Sequence, residues 1–344
     1  MSARPKTLRL LTLSLLTILL ALTYRPALGA VWRVDGQNGV DPTGCTGGTT
    51  WATAFKTIQK AIDCAVAGDG IWVKKGTYAP TSTINVNKAV EIYGGFAGVE
   101  TQWSKRNWET NVTTVDGQQK VTCFTVTANA TIDGFSIVNG HGVYDPFPGS
   151  GYTAGGAIVI LECSPTISNC RLSANYATNG GAIYSSDLNS SPIISNCIFS
   201  RNGSDPWGTA IKASSATIAN CIFEENYSAE SDGGSAIEGS NLDITGCKFL
   251  HNGGYPGAIN VTDSTISTCS FEGNRRGAAF IRDSVITNCT FLSNGARDHV
   301  GALFANGSSF IGNCIFINNG VDGGAVATLL QERLAEPSKV LRVT

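Results

Sequence analysis

The 344 residues suffice for one large domain or two ordinary ones, and solenoids and β-barrels fill such lengths as single units. With 15% charged residues, a formal net charge of −2 and 40 glycines, the chain lacks the broad basic bias that nucleic acid or anionic lipid demands, so no nucleic-acid partner is expected.

Residues 1–30 read as a secretory signal peptide. Arg4, Lys6 and Arg9 give a basic start, "LLTLSLLTILLAL" an apolar stretch, and "ALGA" a small-residue cleavage region. An uncleaved anchor is the alternative, but the run is short against the roughly 20 residues of a span and Pro26 follows closely. The mature chain then begins near Ala30 or Val31, and no later segment is long and apolar enough for a transmembrane helix. Export places the protein in an oxidising compartment that permits disulfides.

Residues 31–80 read as an N-terminal cap. In "WATAFKTIQKAIDCAVAGDGIWVKKGTY", Phe55, Ile58, Ile62 and Ala65 recur at helical spacing, which predicts the one substantial helix over about 54–66, ended by "AGDG" and followed by a first apolar strand. Such a helix suits the covering of an open core end. Cys45 and Cys64 both fall here. A disulfide pinning the helix is one reading and two thiols the other.

Residues 81–326 are dominated by a repeat. "TISNCRLSAN", "IISNCIFSRN", "ATIANCIFEEN" and four later copies align Cys170, Cys197, Cys221, Cys247, Cys269, Cys289 and Cys314 at intervals of 20 to 27 residues. That period is a solenoid signature. Cysteine and the aromatic two residues on share one side of a strand, whereas the isoleucine three residues earlier has the wrong parity. A left-handed bend at Asn169, Asn196, Asn220, Gly246, Thr268, Asn288 or Asn313 restores it, and Asn and Gly tolerate that bend best. Each unit is therefore strand, tight turn, strand, polar turn ending in Asn, then a Gly-Ala-Ile strand. The cysteines form an internal column with neighbours one rung apart, slightly too far for disulfides, and are expected to be inert packing. A hydroxyl in their place, as in Cys247→Ser, is expected to be buried without a partner. Cys123 and Cys163 are read as core residues of other coils.

The paired phrases, GGA[ILV] from "GGAI" at Gly155 and Gly180 onward and F-x-x-N at Phe199, Phe223, Phe249, Phe271, Phe291 and Phe316, resemble the right-handed parallel β-helix of the pectin-lyase-like superfamily. Within it they are closest to the polymorphic outer-membrane-protein repeats. "TIDGFSIVNG", "VTTVDG" and "VEIYGGF" resemble earlier coils, and "IYGGFAGVETQWSKRNWETNVTTVDG" resembles a stretch of secreted bacterial β-helix proteins. The resemblance implies an all-β solenoid of about ten three-strand coils, roughly 50 Å long, with a capping helix. Those outer-membrane proteins continue into a β-barrel, for which the tail at 327–344 is too short, so barrel anchoring is not expected and attachment through a partner stays open.

Lyases of this fold need a base and usually Ca²⁺ held by carboxylates, and hydrolases need facing carboxylates. The outward position of the Gly-Ala strand gives Val159, Tyr184, Lys212, Glu238, Asn260, Phe280, Phe304 and Ala327, a mostly neutral column. Lys212 and Glu238 on adjacent rungs, with Asp263 and Arg282 along the same face, are the only candidates for catalysis, against the plainer reading of an exposed ion pair. Tyr184, Phe280 and Phe304 are candidates for a shallow platform that binds a sugar or protein. Glu224, Glu225, Glu230 and Asp232 form an acidic turn, read as solvated. His141, His251 and His299 are scattered, and no C-x-x-C or Cys/His cluster occurs, so no metal site is assigned. N-x-[ST] sequons occur, among them Asn111, Asn202 and Asn288, and matter only in a eukaryotic source.

The leading expectation is a secreted or cell-surface β-helix, monomeric and non-enzymatic, acting as an adhesin-like or structural binding rod for a polysaccharide or cell-surface protein. The alternative is a polysaccharide lyase or epimerase acting on acidic polysaccharide, using Lys212, Glu238 and Arg282. Ca²⁺ is called for only in that case.

Overall fold

A computed structural model describes residues 29–144, 153–185, 189–204, 209–228, 235–254, 256–295, 301–320, 326–329 and 342–343. Residues 1–28, which hold most of the signal peptide expected over 1–30, and His299, Glu230 and Asp232 lie outside them. Three parallel sheets of 11, 11 and 10 strands run the length of the molecule. Successive strands of one coil belong to different sheets, so within these sheets each inner strand pairs with its counterparts one coil before and after, in the right-handed sense of parallel crossovers. The first sheet runs from Val31–Val34 through Thr131–Asp133 and Thr166–Ser168 to Phe310–Gly312. The second contains Phe135–Val138, Arg171–Ser173 and Ile315–Ile317, and the third Phe124–Val126, Ile158–Ile160 and Leu303–Asn306.

Two left-handed columns make the corners. Before each cysteine, Asn169, Asn196, Asn220, Gly246, Thr268, Asn288 and Asn313 all have φ between 48° and 63°. This bend lets isoleucine on one strand and cysteine on the next both face the core. A second column, Ala174, Arg201, Glu225, His251, Gly273, Ser293 and Asn318, has φ between 51° and 62°, although most of these residues gain nothing intrinsic from it.

What holds that second corner is the asparagine that follows. Asn175, Asn202, Asn226, Asn252, Asn274 and Asn294 are buried, 0 to 1% exposed, where the sequence suggests an ordinary polar turn. Asn252 is typical. Its Nδ2 donates to Phe223 O (2.9 Å) and Asn274 Oδ1 (3.1 Å), while its Oδ1 accepts from Asn226 N (3.1 Å) and Asn226 Nδ2 (3.0 Å). Every polar atom of the carboxamide is thus used, which is what burying it requires. Beside this ladder, Phe199, Phe223, Phe249, Phe271, Phe291 and Phe316 stack at 4.7 to 5.0 Å.

All seven column cysteines are buried thiols. Each Sγ lies 3.1 to 3.4 Å from the carbonyl two residues earlier. The expectation of an unpartnered hydroxyl at Cys247 is therefore corrected. Ser264 and Ser284 donate to the carbonyl in the same two-residue relation, at 2.7 and 2.6 Å.

The helix is Ile58–Cys64, shorter than the expected span. Thr57 caps it by accepting from Lys60 N, and Lys88 Nζ donates to the carbonyls of Ile62, Asp63 and Ala65 at its other end. Phe55 falls outside the helix, bridged to Val34 and stacked on Trp32 at 5.7 Å. Cys45 and Cys64 are joined by a disulfide with Cα atoms 5.4 Å apart. Over the outer face of the first coils, Trp72, Tyr93 and Phe96 are covered by Trp51 and Trp103. Glu100 secures this cover by accepting from Ala97 N, Gly98 N and Val99 N at 2.7 to 3.0 Å. Arg106 pairs with buried Asp133, which also accepts from Ser168 Oγ and Asn169 Nδ2.

Candidate functional site

The outward column of the third sheet keeps the register read from the sequence. Val159 pairs with Tyr184, then Lys212, Glu238, Asn260, Phe280, Phe304 and Ala327 in turn. Lys212 Nζ lies 3.4 Å from Glu238 Oε1 and 3.1 Å from Asn179 Oδ1, with about a third of each charged side chain exposed. Arg282 does not join them. It stands two rungs from Glu238 and three from Lys212, one column over, in register with Thr262 and Asn306. Asp263 occupies a left-handed turn position, outside the strand.

The three aromatics are likewise separated. Phe280 and Phe304 stack at 4.6 Å, but Tyr184 is four rungs away. Tyr184 is also only 5% exposed, packed in a small cluster with Ala154, Val159 and Leu161. The structure therefore gives a two-ring patch at Phe280 and Phe304 and leaves Tyr184 as packing. Asn202, one of the sequons, is inside the ladder and offers no site for a glycan. Among the described residues, no three His, Cys, Asp or Glu side chains come together as metal ligands would.

Sequence reasoning missed a second outward surface, at the corner carrying the asparagine ladder. The residue after each ladder asparagine donates its N–H to the preceding coil, which aligns Tyr176, Gly203, Tyr227, Gly253, Arg275, Gly295 and Gly320 in a single column. His141 precedes them, stacked on Tyr176 at 5.5 Å. Tyr176 and Tyr227 are 41% and 54% exposed. Beside this column run the left-handed residues, whose side chains leave the coil outward. Arg201 Nε donates to Glu225 Oε2 at 2.8 Å. The two groups are open to solvent, so the pair contributes little stability. Arg201 holds the Glu225 carboxyl below the usual range, assisted by His251 and Arg275. His251 lies over Gly273, where a Cβ would stand 2.8 Å from its Cδ2.

Arg201, Glu225, Tyr227, His251, Gly253 and Arg275 line a depression of about 340 Å³. It offers an aromatic face, one carboxylate and cationic groups to a ligand. The signal that could have found it is the phase of the F-x-x-N repeat, since the residues one before and one after each Asn fall on adjacent outward columns.

Two family models match the chain. "Right handed beta helix region" covers residues 205–330, and "Protein of unknown function (DUF1565)" covers residues 38–248. No curated protein matches. A solved GH136 lacto-N-biosidase from Eubacterium ramulus is similar with a TM-score of 0.50 and 11% identity, over 87% of this chain and 67% of that one. The Streptococcus pneumoniae surface protein and adhesin PfbA gives a TM-score of 0.39 and 15% identity, over 79% of this chain and 95% of its own. Pectin methylesterase from Aspergillus niger gives 0.37 and 16%, over 90% and 92%. At such identities the likeness to the lacto-N-biosidase shows the fold alone, and the other two add no argument.

Proposed function

We propose, from the premise that the chain belongs to the DUF1565 family, that it is an exported β-helix rod whose work is binding and not catalysis. Membership brings no activity with it, so the reading rests on the outer faces. The observation that carries it is the state of Lys212. A lyase base must be free to take a proton next to a uronate carboxylate, with a cation neutralising that acid. Lys212 instead faces Glu238 at 3.4 Å and Asn179 at 3.1 Å, between Tyr184 and Glu238 in its column. Its ammonium is thus engaged by oxygens of the chain itself and is not held open toward a substrate.

The GGA[ILV] and F-x-x-N phrases support the finer kinship to polymorphic outer-membrane-protein repeats, and the basic, apolar, small-residue order of residues 1–30 supports secretion or display at the cell surface. The rod acts as a monomer and presents its columns to a polysaccharide or a cell-surface protein. An adhesin-like role needs shape and modest polarity along an extended surface, which the columns provide. The test passes a panel of purified polysaccharides and surface proteins over the immobilised chain. Retention of a partner that elutes chemically unchanged is expected. Release of a cleaved or modified partner would contradict the reading.

A further inference from the structure

We propose that the corner outside the asparagine ladder binds an extended polysaccharide, lying along the rod axis, that carries an acid group on alternate sugar rings. This deepens the reading of the protein as a binding rod and rests on it. Between His141 and Gly320, which end it, the outer column alternates large residues with glycine over six rungs: Tyr176, Gly203, Tyr227, Gly253, Arg275, Gly295. Like residues are thus two rungs apart, about 10 Å at the strand spacing. That is close to the length of two linked pyranose rings in an extended chain. In the neighbouring column, whose members Ala174, Gly273 and Ser293 carry no charge, two basic residues also stand two rungs apart, shifted by one. Arg201 stands beside Gly203 and His251 beside Gly253, while Glu225 stands beside Tyr227. A sugar stacked on Tyr227 therefore has its neighbours over the glycine rungs, where an acid group meets Arg201 or His251. Glu225 keeps Arg201 in place and accepts from sugar hydroxyls. Of the lining residues, the cationic Arg201 and Arg275 outnumber the one carboxylate, Glu225.

Folding demands part of this arrangement but not its centre. At Gly203 and Gly295 a Cβ would run into the Tyr227 and Arg275 carbonyls, so glycine there is structural. At Gly253 a Cβ would stand 3.4 Å from Tyr227 Cβ and 3.9 Å from Arg275 Cδ, which is ordinary contact, and its φ is not left-handed. What glycine provides at 253 is open space over Tyr227. Two exposed tyrosines and an exposed ion pair add little to stability.

The experiment measures binding of the full chain to hyaluronan, a polymer acidic on alternate rings, with polygalacturonate and neutral dextran in parallel and polymer length followed in the same samples. Hyaluronan is expected to bind, more weakly as salt rises. Tyr227→Ala at an exposed site and Gly253→Leu at a half-buried one, both checked for wild-type circular dichroism, should each weaken it at least about tenfold. Lack of binding with the polymer intact would overturn the groove assignment alone. Equal binding of dextran or polygalacturonate, or variants that bind as wild type, would do the same. Shortening of the polymer would instead overturn the binding-rod reading.

Discussion

Removing one rung of the asparagine ladder should reveal how much of the solenoid's stability lies in a buried polar network. In Asn252→Ala, the acceptor Oδ1 disappears, and both Asn226 N–H and one Nδ2 hydrogen of Asn226 lose their partner. The Phe223 carbonyl and Asn274 Oδ1 each lose a donor. Asn274 Oδ1 keeps the Asn252 backbone N–H at 2.9 Å. Two buried donors stranded at about 1–3 kcal/mol each give roughly 2 to 6 kcal/mol of destabilisation. Asn175, at the start of the ladder, is an internal control. Its Oδ1 accepts only from Gly140 N, because glycine has no side chain to donate. Asn175→Ala strands one donor and should cost about half as much. Urea unfolding followed by far-ultraviolet circular dichroism measures both. A cost below about 1 kcal/mol for Asn252→Ala, or an equal cost for the two variants, would refute the claim that the ladder holds the corner.

Cys247→Ser should cost at most about 1.5 kcal/mol, because the Thr245 carbonyl is already placed to accept from a hydroxyl. A loss of about 3 kcal/mol or more by the same unfolding assay would show that the thiol's apolar packing dominates. Nine cysteines lie outside the disulfide. Denatured without reductant, the protein should therefore give about nine reactive thiols, and the native protein almost none, since burial pushes Cys123, for example, up to about 12. Most of them found oxidised would contradict the column. Acid should loosen the N-terminal cover first. Burial opposes ionisation of Asp35 and Glu100, but it is outweighed at Asp35 by Lys74, Asn38 and Gln37, and at Glu100 by four backbone N–H groups, so both carboxyls are held below their usual values. A depressed folded value means stabilisation present above the unfolded value and lost as pH falls through the folded one. Tryptophan fluorescence from Trp51, Trp72 and Trp103 should hold from about pH 8 to about pH 5 and change below about pH 4, and a change confined to the alkaline side would exclude this cause.

The fold was readable because the repeat states its parity in residue types. A cysteine two before a phenylalanine fixes one strand face, and the parity fault at isoleucine requires a left-handed residue at the positions occupied by Asn169 through Asn313. The burial of the F-x-x-N asparagines was not readable by the same logic. A polar residue in a turn normally reads as solvated, and only stacking in register lets each carboxamide satisfy the next. Phe55 and Ala65 matched helical spacing because both are buried, yet the helix ends where Lys88 caps it, a contact from distant sequence. Tyr184 looked exposed by alternation, but a local cluster with Ala154 and Leu161 covers it. The Tyr227 groove depends on side chains leaving left-handed positions of neighbouring coils, a direction that strand alternation does not encode.

The central claim is that this rod binds without turnover. Its most direct test incubates wild type and Lys212→Ala with pectate, alginate and chondroitin, with and without Ca²⁺, and follows the absorbance of the double bond that elimination creates. No absorbance is expected from any polymer, and no difference between the two proteins. Turnover by wild type that is reduced by about a hundredfold or more in Lys212→Ala would make Lys212 a base and the protein an enzyme.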